Sequence, residues 1–146
     1  MGERCPNRVR REIVMQDSKK QNSNSNVIKA REEGTAYDIF QRCLVIRLNE
    51  ELDHHNAMSI REKADRLIEN NHIKHIVFDF TGADFMDSAG IGVIMGRYKK
   101  VIFIGGKTVV ANVNASVDRI FKLSGLYKII DKFESVEDAI RSVQSV

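Results

Sequence analysis

The chain has 146 residues, 42% hydrophobic and 29% charged with a single proline, enough for one domain with a proper core and too few for two of ordinary size. Its formal net charge of +3 resides in residues 1–33, where Arg4, Arg8, Arg10, Arg11, Lys19, Lys20, Lys29 and Arg31 face Glu3, Glu12, Asp17, Glu32 and Glu33. The remainder balances to neutrality, which excludes the basic surplus of a nucleic-acid binder, and Cys5 and Cys43 are too few for a disulfide framework.

Residues 1–33 carry no helical or strand period, and Gln16 to Asn26 is a polar stretch unable to bury enough apolar surface to order itself. The expectation is a disordered polar and basic tail over 1–33 and one domain over 34–146. From Thr35 the pattern changes. Ala36-Tyr37-Asp38-Ile39-Phe40 and Cys43-Leu44-Val45-Ile46-Arg47-Leu48 read as two strands joined by a tight turn at Gln41-Arg42. A helix is expected from about Asn56, with Ala57, Ile60, Ala64, Leu67 and Ile68 on one buried face.

Ile73 to Phe80 is nearly continuous in apolar residues, the mark of a central strand covered on both faces. A polar loop follows, then a helix starting at or beside Ser88, with Ile91, Ile94, Met95, Tyr98 and Val101 as its apolar stripe. Gly105-Gly106 ends it, and Thr108 to Val113 is the next strand. Asn114 caps a helix whose inward residues include Val117, Ile120, Phe121 and Leu123, closed by Gly125. Tyr127-Lys128-Ile129-Ile130 reads as a short strand, and Ser135 to Asp138 as a capping box opening a last helix striped by Val136, Ala139, Ile140 and Val143.

Strand, strand, then helix and strand in alternation predicts an α/β fold: a mixed, mostly parallel sheet of about five strands with about four helices. The longest apolar run, Ile91 to Ile104, is broken by Arg97, Lys99 and Lys100, so no membrane span is expected, and Met1 to Pro6 lacks the apolar core of a secretion signal. A soluble cytoplasmic monomer is the expectation.

The chemistry-bearing candidates are few. Gly90-x-Gly92-x-x-x-Gly96 sits at a strand-to-helix turn, as a phosphate-binding turn would, but misses the dinucleotide spacing by one residue and lacks a following Lys-Ser/Thr pair. Close packing of a thin helix face against sheet or partner is the preferred reading. His54-His55 and His72-x-x-His75 have no cysteine nearby to complete a metal site, so no metal or cofactor is expected. Asp53, Asp79, Asp84 and Asp87 form no evident catalytic pair, and Ser88 is not framed as Gly-x-Ser-x-Gly. Ser88 could simply cap its helix; it is also well placed as a switch, because a phosphate there meets the helix-terminal amides and adds about two negative charges beside Asp87.

Phe85 to Lys99, with Glu51-Leu52-Asp53-His54-His55, Ile73 to Val77 and Leu123 to Ile130 in the same order and spacing, closely resembles the anti-sigma factor antagonists of the STAS family. The likeness spans roughly residues 35–133. It implies a binding protein, not an enzyme, whose unphosphorylated form engages an anti-sigma factor that is also a serine kinase and so frees the sigma factor. Phosphorylation inactivates it and a PP2C-type phosphatase restores it. The motif places the phosphoacceptor at Ser88 and the partner surface at Asp53, His54, Asp87, Ser88, Ala89, Gly90, Ile91 and Gly92. Where the family often has a second serine, this chain has Ala89. A STAS scaffold module of a stress-signalling assembly is the alternative.

Overall fold

The computed structural model describes residues 27–32 and 34–144. Six strands, β1 (Val27–Glu32), β2 (Thr35–Phe40), β3 (Cys43–Leu48), β4 (His75–Asp79), β5 (Thr108–Ala111) and β6 (Asp131–Phe133), lie in sequence order across one sheet. β1 and β2, and β2 and β3, pair antiparallel, and the later neighbours pair in parallel. Four helices accompany them: α1 (Ala57–Asn70), α2 (Ser88–Ile102), α3 (Ala115–Ser124) and α4 (Val136–Gln144). The mixed α/β architecture with four helices is the one expected.

Two physical features organise it. The hairpin between β2 and β3 closes with Phe40 opposite Cys43, leaving Gln41-Arg42 as a two-residue turn in which Gln41 takes φ +59°. Beyond it, each parallel strand needs a crossover. Those of α1, α2 and α3 fall on one face, where Ile60, Ala64, Val93, Ile94, Val117 and Phe121 bury Leu44, Ile46 and Phe78. The other face is covered by α4, whose Val136, Ala139 and Val143 pack on Cys43, Val45, Val77 and Val109. Every residue of β4 is buried, as its unbroken apolar run requires.

The structure corrects the sequence reading in four places. Residues 27–32, assigned to the tail, form edge strand β1; the rest of the tail, residues 1–26 and 33, lies outside the described residues. Leu126–Lys128 is a 3-10 turn, so the strand expected at Tyr127–Ile130 is displaced to Asp131–Phe133. The apolar Leu126 and Ile130 anchor the turn in the core, and the polar edge strand follows. Leu123, expected inward, is 81% exposed on α3. Arg97, which looked like a break in an apolar run, is buried in α2, its Nε 2.9 Å from Asp65 Oδ1 on α1. That ion pair crosses the α1–α2 interface where an apolar contact would be usual.

At the carboxyl end of β4 the buried Asp79 fixes the loop that leads to Ser88. Its Oδ1 accepts from the Thr81 amide and hydroxyl (3.0 and 2.6 Å) and from Asn112 Nδ2 (2.9 Å), while Arg47 Nη1 donates to Oδ2 at 3.1 Å. One carboxylate thus joins the ends of β3, β4 and β5.

Candidate functional site

Two loops meet above the sheet's carboxyl edge: the β3–α1 loop, residues 49–56, and the β4–α2 loop, residues 80–87. The Leu52 amide donates to the Phe85 carbonyl (3.0 Å), the Asp87 amide donates to the Leu52 carbonyl (3.3 Å), and Leu52 pairs with Met86 as an isolated parallel bridge. Leu52 and Met86 are both buried, so this junction is part of the core.

Asp87 is the hinge pin. It adopts an extended backbone as the N-cap of α2, and its Oδ1 accepts from the Ala89 and Gly90 amides at 2.9 and 3.1 Å. Its Oδ2 accepts from the His54 amide at 3.1 Å and lies 3.3 Å from His54 Nδ1. One side chain therefore caps α2 and holds the neighbouring loop. Partial burial pushes its carboxyl pKa up, but the Gly90 amide, the His54 ring and the His54 and Ala89 amides bond the ionised form and hold it below the usual range.

Ser88 is consequently not the cap. It is the first residue of α2, exposed, and its hydroxyl makes no hydrogen bond to another described residue. The cap role that would have given this serine a purely structural reading belongs to Asp87. A phosphate on Ser88 would also not find the helix amides vacant, because two of them already bond Asp87.

The eight expected partner-contact residues divide by accessibility. His54, Ser88 and Gly92 are exposed, and Asp53, Asp87, Ala89 and Ile91 are half-buried. Gly90 is buried: a Cβ there would collide with the Leu52 carbonyl, so its role is to let the two loops close. Gly92 and Gly96, in contrast, have open space where a Cβ would be. With Ser88 they follow a four-residue spacing along one side of α2, leaving a bare backbone path away from the serine. The preferred reading of the glycines as tight packing thus holds at Gly90 and fails at Gly92 and Gly96 with respect to the protein's own fold.

Asp53 shapes its loop, Oδ1 accepting from the His55 amide at 2.9 Å and Oδ2 lying 3.6 Å from His55 Nδ1. Beside it opens a groove of about 790 Å³ lined by Glu50, Glu51, Asp53, Asn56 and Asp84 among others. The sequence grouped Asp53 and Asp84 without pairing them and passed over Glu50 and Glu51, because they come from two loops that the Leu52–Met86 bridge brings together. The histidine pairs hold no metal-type grouping: among the described residues no cluster of His, Cys, Asp and Glu is suited to an ion. His75 is buried, its Nδ1 accepting from the Lys107 amide at 3.0 Å, whereas His72 lies in an exposed turn with φ +52°.

Residues 35–139 match the STAS domain model. The chain belongs to the STAS domain family. It is 39% identical over 103 residues to the anti-sigma F factor antagonist of Paenibacillus polymyxa, covering 70% of this chain and 88% of that protein. The corresponding antagonist of Lysinibacillus sphaericus is 34% identical over 88 residues, with 60% and 75% covered. Among solved structures, the anti-sigma factor antagonist SpoIIAA in its unphosphorylated form matches with a TM-score of 0.61 at 26% identity, covering 82% of this chain and 99% of that one. The Bacillus cell fate determinant SpoIIAA in its phosphorylated form matches at 0.59 and 29% identity, with 80% and 98% covered. In this STAS domain, then, the structure brings Asp53, His54, Asp87 and Ser88 into one surface and withdraws Gly90 beneath it. No helix among the described residues is long and apolar enough to cross a membrane.

Proposed function

We propose that this STAS protein is an anti-sigma factor antagonist of the sigma-F type, switched by phosphorylation of Ser88. In its unphosphorylated form it binds an anti-sigma factor that is also a serine kinase, and that binding releases the sigma factor. The observation that carries the reading is an unbonded, exposed Ser88 hydroxyl set beside a carboxylate that locks the α2 start to the His54 loop. Phosphorylation adds about two negative charges next to Asp87. Repulsion then acts on the group that holds both loops, and the new charge faces whatever partner covers the Ser88–Gly92–Gly96 side of α2. Leaving such a group desolvated and unpaired costs several kcal/mol, enough to remove micromolar binding.

That relatives of this fold are described in phosphorylated and unphosphorylated forms supports the same reading. Here Ala89 leaves one hydroxyl in the motif, so a single modification state is expected. A PP2C-type phosphatase reverses it, its access given by the exposure of Ser88 at a helix start. In this reading the protein acts by binding.

The test is incubation with the cognate anti-sigma kinase and ATP, followed by mass spectrometry. Phosphate confined to Ser88 is the expected result. Phosphate elsewhere, or none, overturns the assignment, and elution as a large assembly that ignores the kinase favours the scaffold reading instead.

A further inference from the structure

The far end of α2 has a different surface. Ile102, Phe103 and Ile104 are 45%, 87% and 54% exposed, three consecutive apolar side chains at the turn where α2 gives way to β5. The turn projects: Gly105 takes φ +81° and a Cβ on it would meet nothing. Cationic residues gather at the same end. Lys99 and Lys100 occupy the last turn of α2, Lys100 Nζ lying 3.4 Å from the exposed Glu69 Oε2 of α1. Arg42 and Lys74 come from the neighbouring connections, the Lys74 amide donating to the Arg42 carbonyl at 2.7 Å. A Cβ on Gly106 would strike the Lys74 carbonyl, which sets Lys74 against the base of the turn, and Lys107 follows. Arg42, Lys74 and Lys107 all lie close enough to His75 to disfavour its protonation.

We infer that the Ile102–Phe103–Ile104 tip is a peripheral docking site for an anionic phospholipid surface. A convex apolar tip ringed by flexible cations inserts into a headgroup layer without needing a matching pocket, with the lysine stems along the apolar side and their ammonium groups among the phosphates. A folded protein partner would need a complementary cavity for Phe103 and a far larger contact area than one turn supplies. The charge selects the anionic leaflet, each lysine near such a surface being worth roughly fivefold in partitioning. Because the tip lies at the opposite end of α2 from Ser88, the docked protein keeps its switch surface facing solution.

Flotation of the full chain with vesicles of phosphatidylglycerol and phosphatidylcholine in equal parts, against phosphatidylcholine alone, tests this. Binding to the anionic vesicles is expected, falling about tenfold in Phe103→Ser and by about twenty-five-fold or more in the Lys99→Glu, Lys100→Glu pair. Phe103→Ser sits on an exposed turn and should leave the fold intact, checked by circular dichroism. No association with anionic vesicles overturns the inference. So does association that Phe103→Ser leaves unchanged, since this would assign the binding to the arginines of residues 1–26. A concentration-dependent dimer in sedimentation equilibrium that Phe103→Ser abolishes, without vesicle binding, would overturn it in favour of a second copy of the chain.

Discussion

The two ends of α2 are built by opposite means. At its start, Asp87, His54, Leu52 and Gly90 are knitted by hydrogen bonds and close packing, and the surrounding loops carry Glu50, Glu51, Asp53 and Asp84. At its end, Ile102 to Ile104 project with open space around Gly105, and Lys99, Lys100 and Lys107 set the charge. The lesson is that one helix can combine a rigid surface, on which a single added charge has consequences, with an exposed tip on which single changes matter little to the fold. In the proposed function this rigidity is what lets an added charge act, because a charge added to a compliant loop would simply turn away.

The largest effect should come from Ser88. Ser88→Asp is expected to weaken binding to the anti-sigma kinase by about a hundredfold, and Ser88→Ala to preserve it. Equal affinities by calorimetry would break the charge mechanism and with it the contrast between the ends. Next comes Gly90→Ala, which forces a Cβ against the Leu52 carbonyl and should cost about 2 kcal/mol in urea unfolding, while Gly92→Ala is neutral or stabilising by up to ~1 kcal/mol.

Gly92→Leu sharpens the same point from the partner's side. It fills open space, so melting should be unchanged, yet about a tenfold loss of kinase affinity is expected because the bare path beside Ser88 is blocked. An unchanged affinity would move the contact surface off α2.

Acid titration separates the two ends. His75, at the basic end, has its pKa lowered in the fold, chiefly by burial and then by Lys74, Lys107 and Arg42. The unfolded chain therefore binds more protons as pH falls below about 6.5, and stability declines from there towards the folded pKa. Asp87 is shifted down from 3.8, so its contribution is present above that value and is lost only as pH falls further. Melting temperature against pH should show the first decline in the wild type and lose it in His75→Gln. The smallest effect is that of Phe103→Ser, within about 0.5 kcal/mol in unfolding and without change in kinase affinity.

Much of the fold was legible because the relevant signals are local. The β2–β3 hairpin, the buried run of β4, the Asn114 cap, which accepts from the Val117 amide at 2.9 Å, and Gly125 at φ +80° each follow from a few adjacent residues. Strand β1 was missed because the alternation of Ile28-Lys29-Ala30-Arg31 is short and has only Ala30 and Ile28 as its apolar side: an edge strand gains its stability from pairing with β2, which a one-dimensional pattern does not contain. β6 was misplaced for a related reason, since the apolar residues before it serve the turn.

The local framework of the candidate site was legible and its contacts were not. The sequence determined that a strand, a polar loop and a helix meet at Asp87-Ser88, and the motif around them made the serine a candidate. Only the tertiary structure decided which of the two is the cap, that His54 is bonded to Asp87 from 33 residues away, that Gly90 is packed while Gly92 is open, and that Arg97 is buried against Asp65. The physical reason is common to all four. Each depends on which group lies across a junction between two segments distant in the chain, and residue type fixes what a side chain can do but not what it faces.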